Sequence, residues 1–297
     1  MVLIVVPRTV AAVAFLMVGV WVASASSRTQ TSAPAPQPER ADMALVPAGD
    51  FWMGRSRLWL IDEINWQIRE RMDDRPVHRV RLPAFSIEVH EVTNRDYAAF
   101  VDATGRPAPY QWGGPTPPPA KSMLPVYNVS WHEAVAYCAW RGRRLPTEAE
   151  WEKAARGGAI DRDYPWGNDY EEEAAIPGAA PPSTGEATLA ATPRPSRVKK
   201  AHSGSASGPQ PVGSFEPNGL GLYDMSGNVW EWVSDWYGLY YYGVSPIENP
   251  QGPAAGLYKV IRGGSWADTE PRLGAVYFRN FASPDQQSPT IGFRCAQ

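Results

Sequence analysis

The motif "NGLGLYDMSGNVWEWVSDWY" (Asn218–Tyr237) carries the strongest structural signal in the chain. It combines Asn-Gly turn signals with three tryptophans, so sharp changes of chain direction lie beside large aromatic anchors. The whole composition agrees, because the 297 residues include 30 prolines, 26 glycines and 13 tryptophans and only 20% are charged. These features predict a loop-rich domain with few long helices.

The centre of the motif offers a candidate calcium site. A turn at Ser226, Gly227 and Asn228 exposes carbonyl oxygens, and the carboxylates of Glu231 and Asp235 follow. Hard oxygen ligands gathered this closely suit calcium. The alternative is an Asn-capped turn in which Glu231 accepts hydrogen bonds from backbone amides. The spacing alone favours that alternative.

The remaining composition limits the function classes. A formal net charge of -3 leaves no basic surface of the kind that nucleic acids require. The length is enough for one large domain with its own core, and the chain shows no internal repeat. We expect a single domain over residues 43–297, with a flexible Pro/Ala/Ser-rich loop at about 171–210.

The pattern of the N-terminal residues predicts an export signal. Residues 9–27 carry no charge, follow Arg8 and contain the small-residue site Ala23-Ser24-Ala25. Residues 1–27 are therefore predicted to be a signal peptide, or a signal anchor if the segment is not cleaved. A Pro/Ser-rich tether at 28–42 follows. We expect a periplasmic or extracellular location, with possible membrane anchoring through residues 9–27.

Local patterns predict several elements of the domain. Alternating apolar residues indicate strand regions at Met43–Arg55 and His78–Thr93. Three capping boxes indicate three short helices, starting at Thr93, Ser130 and Thr147. The only two cysteines, Cys138 and Cys295, form either one bridge or a reduced buried pair. Export favours the bridge.

Common catalytic motifs are absent from the sequence. His132-Glu133 resembles half of a zinc-protease helix, but Ala136 stands where the second histidine would be needed. The chain has no nucleophile elbow, Walker loop or dinucleotide fingerprint. The remaining candidate is the C-terminal stretch "RGGSWADTEPRLGAVYFRN" (Arg262–Asn280). Its possible cleft residues are Ser265, Trp266, Asp268, Arg272 and Arg279.

Seven ordered blocks resemble the sulfatase-modifying-factor family, to which the formylglycine-generating enzyme belongs. They are "PAGDFWMG", "PVHRVRLPAFSIEVHEVTNRDYAAFV", "PVYNVSWHEAVAYCAWRGRRLPTEAEWEKAARGG", "YPWGN", "NGLGLYDMSGNVWEWVSDWY", "RGGSW" and "IGFRC". The resemblance implies a single compact α+β domain, a variant of the C-type-lectin-like fold with little regular secondary structure. It also implies a disulfide between Cys138 and Cys295.

The resemblance changes the interpretation of the central turn. The family's calcium site corresponds to backbone oxygens and side chains at Ser226, Gly227, Asn228, Val229 and Glu231, which favours structural calcium. A second family calcium site lacks its matching segment here, where the sequence is "EEEAAIPGAAPP".

The resemblance also indicates that this chain lacks the family's two copper-binding cysteines. Formylglycine-generating enzymes bind copper through two cysteines after the Gly-Gly-Ser turn, and Asp268 and Leu273 occupy those positions here. Soft thiolates hold Cu(I), so we expect no copper. The chain is then predicted to be a maturation or accessory factor for an envelope protein, peptide or metabolite.

Other functions remain open. One is a non-enzymatic peptide or glycan binding module with an aromatic surface around Trp236–Gly243. Another is a true formylglycine-generating oxidase, which the missing thiolates argue against. The sulfoxide-synthase branch of the family would need an iron-binding histidine cluster on an added helical domain, and the sequence contains neither.

Overall fold

The computed structural model describes residues 42–55, 73–159, 162–168 and 208–297. The predicted signal segment, almost all of the tether and most of the loop at 171–210 lie outside these residues. Among the described residues, no helix is both long and apolar enough to cross a membrane.

The described residues form a mixed α+β domain of three α-helices and eight short strands. The helices are α1 (Asn94–Thr104), α2 (Trp131–Trp140) and α3 (Glu148–Ala155). The strands are β1 (Met43–Val46), β2 (Gly49–Met53), β3 (His78–Leu82), β4 (Phe85–Glu88), β5 (Trp230–Trp236), β6 (Lys259–Arg262), β7 (Asn280–Ala282) and β8 (Ile291–Gly292). Short 3₁₀ turns lie at Tyr110–Trp112, Pro119–Lys121, Tyr241–Gly243 and Pro271–Gly274.

All three predicted helix starts are confirmed. The side chains of Thr93, Ser130 and Thr147 each accept a hydrogen bond from the backbone amide three residues later. Glu133 and Glu150 complete the capping boxes of α2 and α3 by accepting from the cap residue's own amide. These caps satisfy amides that the first helical turn leaves unpaired, so local sequence fixes each start.

The two predicted strand regions each divide into two strands. β1 pairs with β4 and β2 pairs with β3, both antiparallel, with Met43 opposite Glu88 and Gly49 opposite Leu82. Pro83 separates β3 from β4, since proline has no amide hydrogen to continue a ladder. The third sheet has the order β7-β6-β5-β8, in which only the β5–β8 pair is parallel.

Two clusters of buried side chains form the core. One lies around α1, α2 and β8 and includes Tyr97, Tyr137, Trp232, Phe293 and both cysteines. The other joins β1–β4 to α3 and includes Val80, Ile87, Trp151, Val233 and Val260. The central strand β5 contributes to both clusters, because Trp232 and Val233 point to opposite faces.

Candidate functional site

The turn before β5 is pinned to the Gly-Gly-Ser-Trp segment after β6. Asp224, Gly227 and Asn228 all have positive φ angles, of 60°, 91° and 60°. The amide of Gly227 donates to the carbonyl of Gly263 at 2.7 Å, and the amide of Trp266 donates to the carbonyl of Asn228 at 2.8 Å. The two stretches singled out by the sequence therefore lie side by side.

A group of buried charges lies behind this turn. We call it the acidic cluster, and its members are Glu91, Asp224, Glu231 and Arg294, all at most 3% exposed. Arg294 donates to both carboxylate oxygens of Glu231 at 2.7 Å. The indole of Trp151 adds a hydrogen bond of 2.8 Å to the same carboxylate. Glu231 is thereby held rigidly at the start of β5.

The other two carboxylates of the acidic cluster form no ion pair of their own within the described residues. Glu91 accepts from the side-chain amide of Asn228 at 2.6 Å and from the backbone amide of Val229 at 3.2 Å. Asp224 Oδ2 accepts from the amide of Gly213 at 2.7 Å. Asp224 Oδ1 is buried and has no hydrogen-bond partner among the described residues. Three acids therefore surround a single guanidinium.

The excess of negative charge affects the acidity of both groups. Burial, followed by the nearby carboxylates of Asp224 and Glu231, raises the pKa of Glu91 well above its ordinary value. Burial also raises the pKa of Asp224 to about 6, and Glu231 adds to that rise. A buried charge of this kind is costly unless a cation or a proton compensates it.

The predicted calcium ligands differ in whether their polar atoms are already hydrogen-bonded. The hydroxyl of Ser226 donates to the carbonyl of Gly274, and the side-chain amide of Asn228 is engaged by Glu91 and Gln210. No hydrogen bond to the carbonyls of Ser226, Gly227 and Val229 is present among the described residues. Those three oxygens are thus the backbone ligands that remain available.

Sequence reasoning missed Asp224 and Glu91 as members of this group. Asp224 precedes the Ser226–Asn228 turn by only two residues, so its spacing could have revealed it. Glu91 lies 137 residues from Asn228 and has no local signal. Within the described residues, no three side chains of His, Cys, Asp or Glu are arranged to hold a metal together. A cation here would need backbone oxygens as well.

The predicted cleft residues do not form one group. Asp268 accepts from both the amide and the hydroxyl of Ser265, at 2.7 and 2.8 Å, and so closes a local turn. Trp266 donates from its indole to the carbonyl of Pro289. Arg272 lies 3.5 Å from Glu270 and above the ring of Phe278. Asp268 therefore supports the turn of its own segment.

The same segment packs tightly against its neighbours. Gly264 has a φ of 77°, and a Cβ atom there would lie 3.0 Å from the carbonyl oxygen of Leu273. Leu273 itself packs against the first core cluster. The turn needs glycine both for its conformation and for this close approach.

The remaining predicted cleft residue, Arg279, belongs to a different group. We call this group the arginine cluster, and its members are Glu148, Glu152, Arg156, Arg262 and Arg279. Arg279 donates to both oxygens of Glu148, at 2.7 and 2.9 Å, and Arg262 bridges Glu148 and Glu152. Although burial opposes its charge, Arg156 and Arg262 hold the pKa of Glu152 below its ordinary value.

Two further charged groups lie at the edge of the arginine cluster. Asp235 accepts from the amide of Glu148 at 2.8 Å, and burial together with the Glu148 carboxylate raises the pKa of Asp235 to about 7. The Lys259 ammonium lies between the rings of Trp131 and Trp236, 3.9 and 3.8 Å from their centroids. Burial lowers the pKa of Lys259 to about 8.

The aromatic run Trp236–Gly243 is partly exposed. Tyr240 is 80% exposed, whereas Tyr242 is buried against Arg279. The run thus splits between the surface and the arginine cluster.

The predicted disulfide between Cys138 and Cys295 is confirmed. It joins α2 to the C-terminus across 157 residues of sequence. These are the only two cysteines of the chain, so this bridge leaves no free thiol.

Comparison with known proteins gives a consistent result. Residues 28–297 match the sulfatase-modifying factor enzyme 1-like domain. The chain is 36% identical over 265 residues to the formylglycine-generating enzyme of Streptomyces coelicolor, covering 74% of this chain and 80% of that protein. It is 34% identical over 266 residues to the inactive C-alpha-formylglycine-generating enzyme 2 of Mus musculus, covering 74% and 77%. The solved structure of PvdO from Pseudomonas aeruginosa aligns with a TM-score of 0.64 and 28% identity, covering 86% of this chain and 93% of that one.

Proposed function

This chain belongs to the sulfatase-modifying factor enzyme 1-like family, and from that premise we propose that it is an exported maturation or accessory factor that does not use copper–thiolate oxidation. Its client is another envelope protein, a peptide or a metabolite. The carrying observation is that both cysteines form one disulfide between α2 and the C-terminus, so neither is a free thiol that could hold copper.

Copper does not fit the residues present at the family's oxidase positions. Asp268 offers a hard carboxylate that already accepts two hydrogen bonds from Ser265, and Leu273 offers no donor. Cu(I) prefers soft sulfur ligands.

Calcium fits the acidic cluster better. The orphaned Oδ1 of Asp224, the carboxylate of Glu231 and the carbonyls of Gly227 and Val229 supply hard oxygen atoms. The cluster also has two more acids than cations among its four members. We propose that one calcium ion binds there and neutralises this charge, which stabilises the turn before β5.

The other described groups then have structural roles in the proposed function. The Asp268–Ser265 hydrogen bonds shape the turn after β6, and the arginine cluster fixes Arg262 and Arg279 at the two ends of the family's active-site segment. The segment is held in place without a redox group. A segment fixed in this way is suited to binding an extended stretch of the client.

A turnover assay tests the proposal. The full chain is incubated with Cu(I), a reductant, oxygen and a peptide containing Cys-x-Pro-x-Arg, and mass spectrometry follows the conversion of thiol to aldehyde. We expect no aldehyde above the level of heat-inactivated protein. Copper-dependent aldehyde formation would show that other ligands replace the thiolates and would overturn the proposal.

A gain-of-function variant sharpens this assay. The double substitution Asp268→Cys with Leu273→Cys places thiols at the two positions that lack them, while Asp268→Ser with Leu273→Ser is the matched control. Aldehyde formation by the cysteine variant alone would assign the missing activity to the missing thiols.

A further inference from the structure

The connection between β5 and β6 concentrates the exposed apolar side chains of the protein. Six of the ten large hydrophobic side chains that are exposed in the described residues lie between positions 239 and 258. They are Leu239, Tyr240, Val244, Ile247, Leu257 and Tyr258. We call residues 239–258 the apolar loop. A concentration of this kind marks an interaction surface, since scattered single residues would need no explanation.

The apolar loop carries little charge. Its only charged residue is Glu248, which forms an ion pair of 3.0 Å with Arg81 on β3. Two of its polar side chains bond to its own backbone: Ser245 donates to the carbonyl of Pro246 and Gln251 donates to the carbonyl of Asn249. The exposed surface is therefore mainly aromatic and aliphatic.

The loop is also held in a defined shape. Arg81 exchanges backbone hydrogen bonds with Ile247 and Asn249, and the amide of Tyr237 donates to the carbonyl of Tyr258 at 2.8 Å. Gly238 packs closely against Pro253, where a Cβ atom would lie 2.8 Å from the proline ring. The apolar side chains are presented by a folded loop, so little ordering entropy opposes their binding.

We propose that the apolar loop docks on a lipid surface. Leu257 and Val244 are 81% and 78% exposed. Such aliphatic tips gain free energy by entering the acyl boundary, whereas Tyr240 and Tyr258 suit the headgroup level. A glycan or peptide site would need free polar groups, and the Ser245 and Gln251 side chains already donate to the loop's own carbonyls.

The N-terminal segment makes this contact possible. The proposal rests on residues 9–27 being retained as an anchor, which is the alternative to cleavage of the predicted signal peptide. Residues 28–42 extend to at most about 50 Å. A domain of roughly 255 residues has a radius of gyration of about 18 Å, so the extended tether is longer than the radius of the domain and lets the domain turn relative to the anchor.

A depth measurement on the full chain tests the docking. Single substitutions Val244→Cys and Leu257→Cys receive an environment-sensitive dye, and Tyr110→Cys, at a site 71% exposed outside the loop, is the matched control. The unsubstituted chain should take up no dye, because its cysteines are bridged. The proteins are reconstituted in phosphatidylcholine vesicles, with and without phosphatidylglycerol.

We expect the emission at positions 244 and 257 to shift to the blue and to be quenched by lipids brominated on their acyl chains. The dye at position 110 should show neither effect. The signal should be equal in both lipid mixtures and insensitive to salt, because the single charge of the loop, on Glu248, is paired with Arg81.

Three results would overturn the proposal. The first is a dye at 244 or 257 that is quenched no more than the one at 110. The second is a blue shift without lipid that grows with protein concentration, which would assign the loop to a second copy of the chain. The third is a signal lost at high salt. Two aspartate substitutions, Val244→Asp and Leu257→Asp, should together abolish the quenching of a dye at Tyr240→Cys without lowering the melting temperature.

Discussion

The acidic cluster and the arginine cluster are both buried, yet their charges are arranged in opposite ways. The arginine cluster places three guanidinium groups against the carboxylates of Glu148 and Glu152. The acidic cluster places one guanidinium, that of Arg294, against three carboxylates. Trp151 lies between the two clusters. Its indole nitrogen donates a hydrogen bond to Glu231, and the guanidinium of Arg262 lies over the face of its ring.

The difference shows in which cluster the buried charges are compensated. Each carboxylate of the arginine cluster accepts hydrogen bonds from two arginines, and these contacts compensate the cost of burial. In the acidic cluster only Glu231 has such a partner, and Asp224 keeps an unpaired oxygen in the part of the chain that the structure describes. We infer that the acidic cluster, unlike the arginine cluster, leaves negative charge for a proton or a bound cation to compensate, and we propose calcium as that cation.

The largest effect is expected from breaking the arginine cluster. Arg262→Met leaves Glu148 and Glu152 with fewer partners in a buried site, and removing one member of such a pair costs about 3–5 kcal/mol of unfolding free energy. The loss should be the same with calcium and with a chelator. Urea unfolding followed by tryptophan fluorescence measures it.

The matched control for this variant is Arg95→Met. Arg95 pairs with Asp96 at the surface, with 63% of its side chain exposed. An exposed pair contributes about 1 kcal/mol or less. If Arg262→Met were no more destabilising than Arg95→Met, or if its effect depended on calcium, the contrast between the clusters would fail.

A smaller, calcium-dependent effect is expected from Asp224→Asn. Asparagine tolerates the positive φ of this position and keeps an oxygen for the amide of Gly213. The variant should lose the stabilisation that calcium gives the parent chain, which is about 2.7 kcal/mol when calcium is present at 100 times its dissociation constant. Thermal unfolding with and without calcium measures the difference.

In a chelator the order of stability should reverse. Asp224→Asn removes one uncompensated acid, so the variant should then be at least as stable as the parent chain. Equal calcium responses in the two proteins would argue against Asp224 as a ligand.

The smallest effect concerns the acid at the edge of the arginine cluster. The pKa of Asp235 is raised to about 7 from 3.8. Between these values the folded state binds a proton that the unfolded state has released, so this group lowers stability as pH rises toward 7 and costs most above it. Asp235→Asn should therefore stabilise the protein at pH 8, by on the order of 2 kcal/mol, and not at pH 4.

Melting curves of both proteins from pH 4 to pH 8 check this expectation. Asp235→Asn keeps an oxygen for the amide of Glu148, so the local hydrogen bond is conserved. A stability difference that is independent of pH would contradict the titration of Asp235.

Local interactions were predictable from the sequence and distant ones were not. Thr93, Ser130 and Thr147 lie three residues from the groups they cap, so all three helix starts were evident. The Cys138–Cys295 bridge followed from the count of cysteines and the family resemblance. Arg279, in contrast, binds Glu148 from 131 residues away, and no local pattern indicates that contact.

The same limit applies to the candidate site. The sequence identified Gly227, Val229 and Glu231 on one short turn, but Glu91 comes from the connection after β4 and Arg294 from the C-terminus. The charge of the acidic cluster is a property of these distant residues together. Only the folded arrangement shows that three acids share one arginine.

Calcium content measures the central claim directly. The purified chain is dialysed against calcium and then against calcium-free buffer, and the bound metal is counted by elemental analysis beside Asp224→Asn and Arg262→Met. We predict one calcium per chain in the parent protein and in Arg262→Met, and none in Asp224→Asn. A parent protein without calcium, with a melting temperature that is unchanged by a chelator, would contradict the claim.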